Sequence, residues 1–473
     1  MLAIQSAALG DVARSGAGPS QGARSTGRAS RRGFLKIGSL GLAGLILPNL
    51  LRAEAEAFDK AAVSNVAAAD RRGTAVILYW MAGGPSHLDT WDMKPEAVAE
   101  VRGPFKPIAT RLPGLQLCEL LPHQAAMADK LAIVRSLAHR NGNHFDAAHW
   151  VQTGYHEENV MGRGQPYPCQ GAIVAKLAGP CVPGLPPYVC IPQPYSPYLG
   201  FYQQPSYLGE AFGPLSGGGE PAYRGKRADP EFILPTDVSF ARLAERRALM
   251  ERIDGLARRA EALPAFAEMD QHYQRAFGLV TSPQVQQAFN IEAEPARLRE
   301  RYGRNPWGQG ALLARRLVEA GVRFVTINHY EGDVDWWDDH FTIEANLRKR
   351  LPPFDQALGT LIADIHERGL ADRVLVAAFG EFGRTPWIDR HAGRGHWPNA
   401  MSALFSGGGL KTGQIIGSTT SNGGEPKDRP FGPGDLLATI YRAVGIDPGQ
   451  SLPNRQNRPI PLVDAGQPIP ELF

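Results

Sequence analysis

The sequence predicts an α/β fold built on a mostly parallel sheet with helices covering both faces. Residues 74–81, TAVILYWM, form an unbroken apolar, β-branched and aromatic run, the pattern of a strand buried on both sides. The carboxyl half alternates helix and strand patterns at the spacing of parallel crossover units. Ionisable clusters then follow the apolar strands directly, at the carboxyl ends where open α/β sheets place their sites.

Taken in order, the amino terminus carries arginines at 14, 24, 28, 31 and 32 before an uncharged apolar run over residues 37–51. Ser30, Arg31, Arg32, Gly33, Phe34, Leu35 and Lys36 match the twin-arginine export pattern, and Ala53, Glu54, Ala55 offer a small-residue cleavage site. The run is shorter than the roughly 20 residues of a spanning helix, so no stable membrane span is expected once the signal is removed. We therefore expect residues 1–57 to be a signal and cleavage region read by the twin-arginine export machinery, residues 58–73 a linker, and residues 74–473 the folded domain. The expected destination is periplasmic or extracellular. This route carries folded chains, so a metal can be loaded before export.

Removing residues 1–52 takes away seven basic residues and one acid, so the formal charge goes from +3 to −3. No basic patch remains to argue for nucleic acid. About 420 residues are left, enough for one large domain. The cysteines at 118, 169, 181 and 190 lack the paired spacing of a zinc site and read either as disulfide partners or as buried thiols.

After the first strand, residues 131–137 and 188–192 read as further strands. Residues 180–235, dense in Pro, Gly, Tyr and Ser, read as an irregular insertion, and residues 238–300 as helical with a solvated Glu/Arg face. Tyr195, Tyr198, Phe201, Tyr202 and Tyr207 in that insertion offer rings that stack on sugars, or simply pack a long loop. Residues 308–320 and 354–368 are predicted helices, 322–328, 373–379 and 401–405 predicted strands, and 434–444 a closing helix.

Four clusters carry candidate chemistry. Asp338 and His340 stand two apart after a strand, a carboxylate and an imidazole suited to one divalent ion, or part of an acidic surface loop. Glu381 follows the strand VLVAAFG, with Arg384 three residues on; the pair reads as a metal ligand with an oxyanion-binding guanidinium, or as a structural ion pair. His396 sits in the glycine-flanked GRGHW, as a ligand or a packing histidine. Ser86, His87 and Asp89 follow a Gly-Gly-Pro turn, where Ser86 reads as a nucleophile or as a helix cap. His87 or His144 is placed to protonate a leaving alkoxide, although His144 and His149 in NHFDAAHW read rather as structural or pocket-lining. The glycines at 407–409 lack the spacing of a phosphate-binding loop.

As a set, GGPSHLDTWD, ARRLVEAGVRFVTINHYEG with WDDHF, FGEFGRTPWI, GRGHWPNAMSALFSGGGLKTGQIIGST and DLLATIYRAVGID resemble, in order, the exported bacterial family of domain of unknown function 1501 (DUF1501). That family is grouped with the alkaline phosphatase and sulfatase superfamily. The resemblance implies a three-layer α/β/α sandwich and a hydrolase of phosphate or sulfate esters, acting on a small-molecule or polysaccharide ester. It also implies one or two divalent metal ions, zinc above all. By the same resemblance Asp338, His340 and His396 look like the ligands of one metal, Glu381 and Asp89 like those of a second, and Ser86, His87 and Arg384 like the catalytic groups. The chain departs from the pattern at Phe382, where the superfamily has a ligating histidine, and at Gly395, where relatives have aspartate. The alternative is an exported binding protein that keeps this fold and recognises polysaccharide or a partner protein.

Overall fold

The computed structural model describes residues 73–191, 203–216, 283–328 and 337–473, together with 242 and 245. The expected signal and all of the expected linker but Gly73 lie outside these residues, as do most of the predicted 238–300 helical segment and the aromatic side chains of the insertion up to Tyr202. No helix among the described residues is long and apolar enough to cross a membrane.

Eight strands form the central sheet. They are β1 (Ala75–Trp80), β2 (Ala132–Leu137), β3 (Tyr188–Ile191), β4 (Leu215–Ser216), β5 (Phe324–Asn328), β6 (Val374–Phe379), β7 (Met401–Gly407) and β8 (Gln414–Ile416). Their spatial order is β8-β2-β7-β6-β1-β5-β3-β4. β1 runs parallel to both β5 and β6, whereas β7 is antiparallel to β6 and β2. Seven strands thus point one way and β7 alone runs back. The carboxyl ends of β1, β2, β5 and β6, and the start of β7, share one edge of the sheet.

Alternation along β1 explains why its sequence is apolar throughout. Ile77 and Tyr79 pack into one core with the helices α3 (Pro306–Ala320) and α4 (Ile343–Glu367). Val76, Leu78 and Trp80 pack into the other, against α1 (His144–Thr153), α2 (Gln170–Ala178) and α5 (Pro433–Ala443). Every residue of β1 is buried; each large aliphatic side chain so placed contributes about 1.5–3 kcal/mol. The result is a three-layer α/β/α sandwich with a mostly parallel sheet.

Two expectations change. The helix predicted from residue 354 starts at Ile343 and runs 25 residues through Pro352 and Pro353. Leu347, Arg350 and Leu351 are buried on its amino-terminal half, so tertiary packing overrides the breaking tendency of the prolines. Residues 401–407 join the sheet antiparallel, which an alternating pattern does not reveal. All four cysteines are free, and burial pushes the Cys118 thiol up to about 12 and that of Cys169 to about 11.

Candidate metal centre

Each strand at the shared edge delivers one piece of a compact site. After β5 the chain reaches Asp338 and His340. After β6 come Glu381, Phe382 and the two-residue ladder in which Arg384 pairs with His396. After β2, Asn143 caps α1, its side chain accepting from the amides of Phe145 (3.0 Å) and Asp146 (3.3 Å). That cap makes His144 the first residue of the helix.

Three imidazoles and one carboxylate meet here. One ligand atom from each of His144, Asp338, His340 and His396 lies within 4.8 Å of all the others. His340 Nε2 is 2.8 Å from His396 Nε2 and 3.0 Å from Asp338 Oδ1, which is 3.2 Å from His396 Nε2. His144 Nε2 stands 3.3 Å from Asp338 Oδ2, buried and without an aligned hydrogen bond.

The opposite nitrogens are held from behind. His396 Nδ1 donates to the Gly142 carbonyl at 2.8 Å, and His144 Nδ1 to Glu381 Oε1 at 2.7 Å. Such bonds fix the tautomer, leaving each Nε2 lone pair turned inward. Three nitrogens and one oxygen at this separation, with a buried unpartnered Nε2 among them, make a donor set of the kind that holds a divalent metal ion.

Charge is arranged to suit. Burial works against the Asp338 carboxylate, but the His144 and His396 imidazoles and the Arg384 guanidinium beside it hold it far below the usual range. Burial likewise opposes the His144 cation, yet the neighbouring Asp338 and Glu381 carboxylates raise its pKa to about 9. His340 is lowered, chiefly by burial.

The remaining predicted residues are placed differently. Glu381 lies behind His144 and also accepts from the Gly83 amide at 2.8 Å. Asp89 pairs with Arg394 at 2.7 Å, both fully buried. These two expected ligands of a second ion sit in separate hydrogen-bond sets and neither belongs to the convergent group, and the Phe382 ring packs against both His144 and His396, 4.8 Å from each, those two rings being 4.1 Å apart. Ser86 is 0 % exposed and donates to Asp89 Oδ2 at 2.5 Å. His87 is buried with Nε2 2.8 Å from the Gly423 carbonyl, and burial lowers its pKa. Arg384 donates to the carbonyls of Gly83, Gly84 and Arg394 and to Asp338 Oδ1 at 2.5 Å.

Sequence reasoning thus assigned three of the four convergent residues to one metal and gave His144 another role. The Asn143 cap is its only local signal; the crossing from β2 to the site edge is a property of topology.

A family model described as "Protein of unknown function (DUF1501)" matches residues 73–473. Among curated proteins none matches the chain. Solved structures similar to it include the phosphonate monoester hydrolase of Agrobacterium radiobacter, at 13% identity over 84% of this chain and 77% of that one, with a TM-score of 0.38. Another is a protein in the alkaline phosphatase superfamily from Vibrio parahaemolyticus, at 12% identity over 80% and 68%, TM-score 0.37. The lipoteichoic acid synthase LtaP from Listeria monocytogenes is similar at 12% identity over 80% and 74%, TM-score 0.35. By the match over residues 73–473, the chain belongs to the DUF1501 family.

Proposed function

We propose that the chain is an exported, metal-dependent hydrolase of phosphate or sulfate esters, with one zinc-like ion held by His144, Asp338, His340 and His396. One observation carries the reading: three imidazole nitrogens and a carboxylate converge within 4.8 Å, two of the imidazoles being oriented from behind. A divalent ion in such a set acts as a Lewis acid on an ester oxygen and lowers the pKa of water. Asp338 and the histidines supply the ligand atoms, Glu381 and Gly142 aim two of them, and Arg384 fixes Asp338. The burial of Ser86 supports water rather than the serine as nucleophile.

Metal analysis of full-length protein purified without chelator tests this first. About one divalent ion per chain is expected, lost in Asp338→Ala with His396→Ala. Protein free of metal, with stability unaffected by those changes, overturns the reading. A panel of phosphate monoesters, phosphate diesters and sulfate esters then separates reaction classes. The binding-protein reading is favoured by one observation, the full commitment of Ser86 and Arg384 to internal bonds, and inactivity of the metal-loaded protein on the whole panel selects it. Export by the twin-arginine route is tested by replacing Arg31 and Arg32 with Lys, which should leave the protein in the cytoplasm.

A further inference from the structure

The chain between β2 and α1 has two faces. On one, Gly142 receives the His396 hydrogen bond at 2.8 Å and Asn143 caps the helix that begins with His144. On the other, the same two residues line a cleft of about 640 Å³ together with Arg140, Asn141, His156, Glu158 and Asn159. The Gly142–Asn143 backbone therefore borders both the cleft and two of the convergent ligands.

The chemistry of the lining is unusual for its size. Binding pockets of some 300–1,000 Å³ are mostly apolar, with a few polar groups for orientation. Here every lining residue is polar, charged or glycine. An aryl or acyl group would gain little burial against such walls. Vicinal hydroxyls, each both donor and acceptor, match amides, a carboxylate and a guanidinium.

The groups differ in what they have left to offer. Asp146 is taken up by the amides of Asn159 (3.1 Å) and Val160 (2.9 Å), and the Asn141 amide meets His156 Nε2 at 3.2 Å. Arg140 and Glu158 are exposed, and neither makes a side-chain hydrogen bond or ion pair with other described residues. They supply five donors and a full carboxylate acceptor on opposite sides of the charge balance. A volume of about 640 Å³ accommodates one or two sugar rings.

We infer that this cleft is the subsite for the alcohol side of the ester, and that the substrate is a saccharide ester. The inference rests on the hydrolase reading above and deepens it. Arg140 and Glu158 hold ring hydroxyls while the ester group reaches the ligands beyond Gly142.

The test compares the zinc-loaded full chain with its Arg140→Ala/Glu158→Ala variant, both positions being surface-exposed. The probes are glucose 6-sulfate and glucose 6-phosphate against 4-nitrophenyl sulfate and 4-nitrophenyl phosphate. The ratio of kcat/KM for sugar over aryl ester should fall at least tenfold in the variant. Calorimetry with glucose 6-sulfate should show Kd weakened at least tenfold. A ratio and a Kd both unmoved overturn the inference. If the parent protein turns over none of the four, the hydrolase reading fails by itself and calorimetry still judges the cleft. Sugar-ester binding lost in the variant then supports it, and equal binding or none overturns it.

Discussion

Glu381 Oε1 accepts the Nδ1–H of His144 at 2.7 Å, and this single bond decides which nitrogen of that imidazole faces Asp338. The carboxylate is itself fixed by the Gly83 amide at 2.8 Å. Glu381 thus works through His144 as a positioning residue, the carboxylate–histidine arrangement common behind metal ligands.

Glu381→Gln keeps the shape and removes the charge. Removing such a partner typically weakens metal binding by about 10–100-fold. Competition against a chromophoric chelator should show a loss in that range with about one ion still bound at saturation. His144→Ala should instead remove a ligand outright and cost more. Equal affinities for Glu381→Gln and the parent would refute the positioning role.

Metal uptake should depend on pH through His144. Its pKa is raised from 6.5 to about 9 in the metal-free protein, so the charged form adds stability that is fully present below 6.5 and lost as pH rises through about 9. An ion requires the neutral Nε2 and competes with that proton. Apparent affinity should therefore rise about tenfold per unit between pH 7 and 9, while the thermal midpoint of metal-free protein falls over the same interval. Proton release on zinc binding, read by calorimetry in buffers of different ionisation enthalpy, checks the same step. Uptake without released protons at pH 7.5 would contradict it.

The sequence made the sheet legible because both faces of it are covered. Runs such as VLVAAF in β6 are buried at every position, leaving no polar face to confuse strand with loop. The direction of β7 was not legible, since an apolar strand reads alike either way. The start of α4 was hidden by Pro352 and Pro353, which local rules treat as a stop although buried Leu347 and Leu351 carry the helix through them. The site divides similarly. Asp338, His340 and His396 stand in polar clusters just past strands and attract notice. His144 opens an ordinary helix, and only the sheet order that lays β2 near the same edge brings it to the other three.

Asp89, which the sequence resemblance offers as a ligand of a second metal, forms with Arg394 a buried ion pair in three dimensions. Both side chains are 0 % exposed, and Arg394 also donates to the carbonyls of Val101, Thr385 and Pro386. Asp89→Ala leaves that guanidinium buried without its counter-charge, which costs about 3–5 kcal/mol. Urea unfolding should show this loss, and Asp89→Leu combined with Arg394→Met should be less destabilised than the sum of the single changes. Strict additivity would mean that the two charges do not interact.

Gly83 offers the sharpest separation of backbone from site effects. Its amide donates to Glu381 and its carbonyl accepts from Arg384. Its φ is +105°, and a Cβ there would stand 2.7 Å from the backbone nitrogens of Trp337 and Asp338. Gly83→Ala therefore incurs the left-handed backbone penalty, about 1 kcal/mol, and in addition pushes on the segment that carries Asp338. Gly114, with φ +82° and nothing within 4 Å of its Cβ, pays the first cost alone. Gly114→Ala should lower stability modestly and leave zinc affinity where it was. Gly83→Ala should lower both, with chelator competition showing at least a tenfold loss of affinity, because a displacement of Asp338 by even a few tenths of an ångström spoils its distance to three imidazoles at once. Unchanged zinc binding in Gly83→Ala would show that the approach of the β1 turn to Asp338 does not set the geometry of the site.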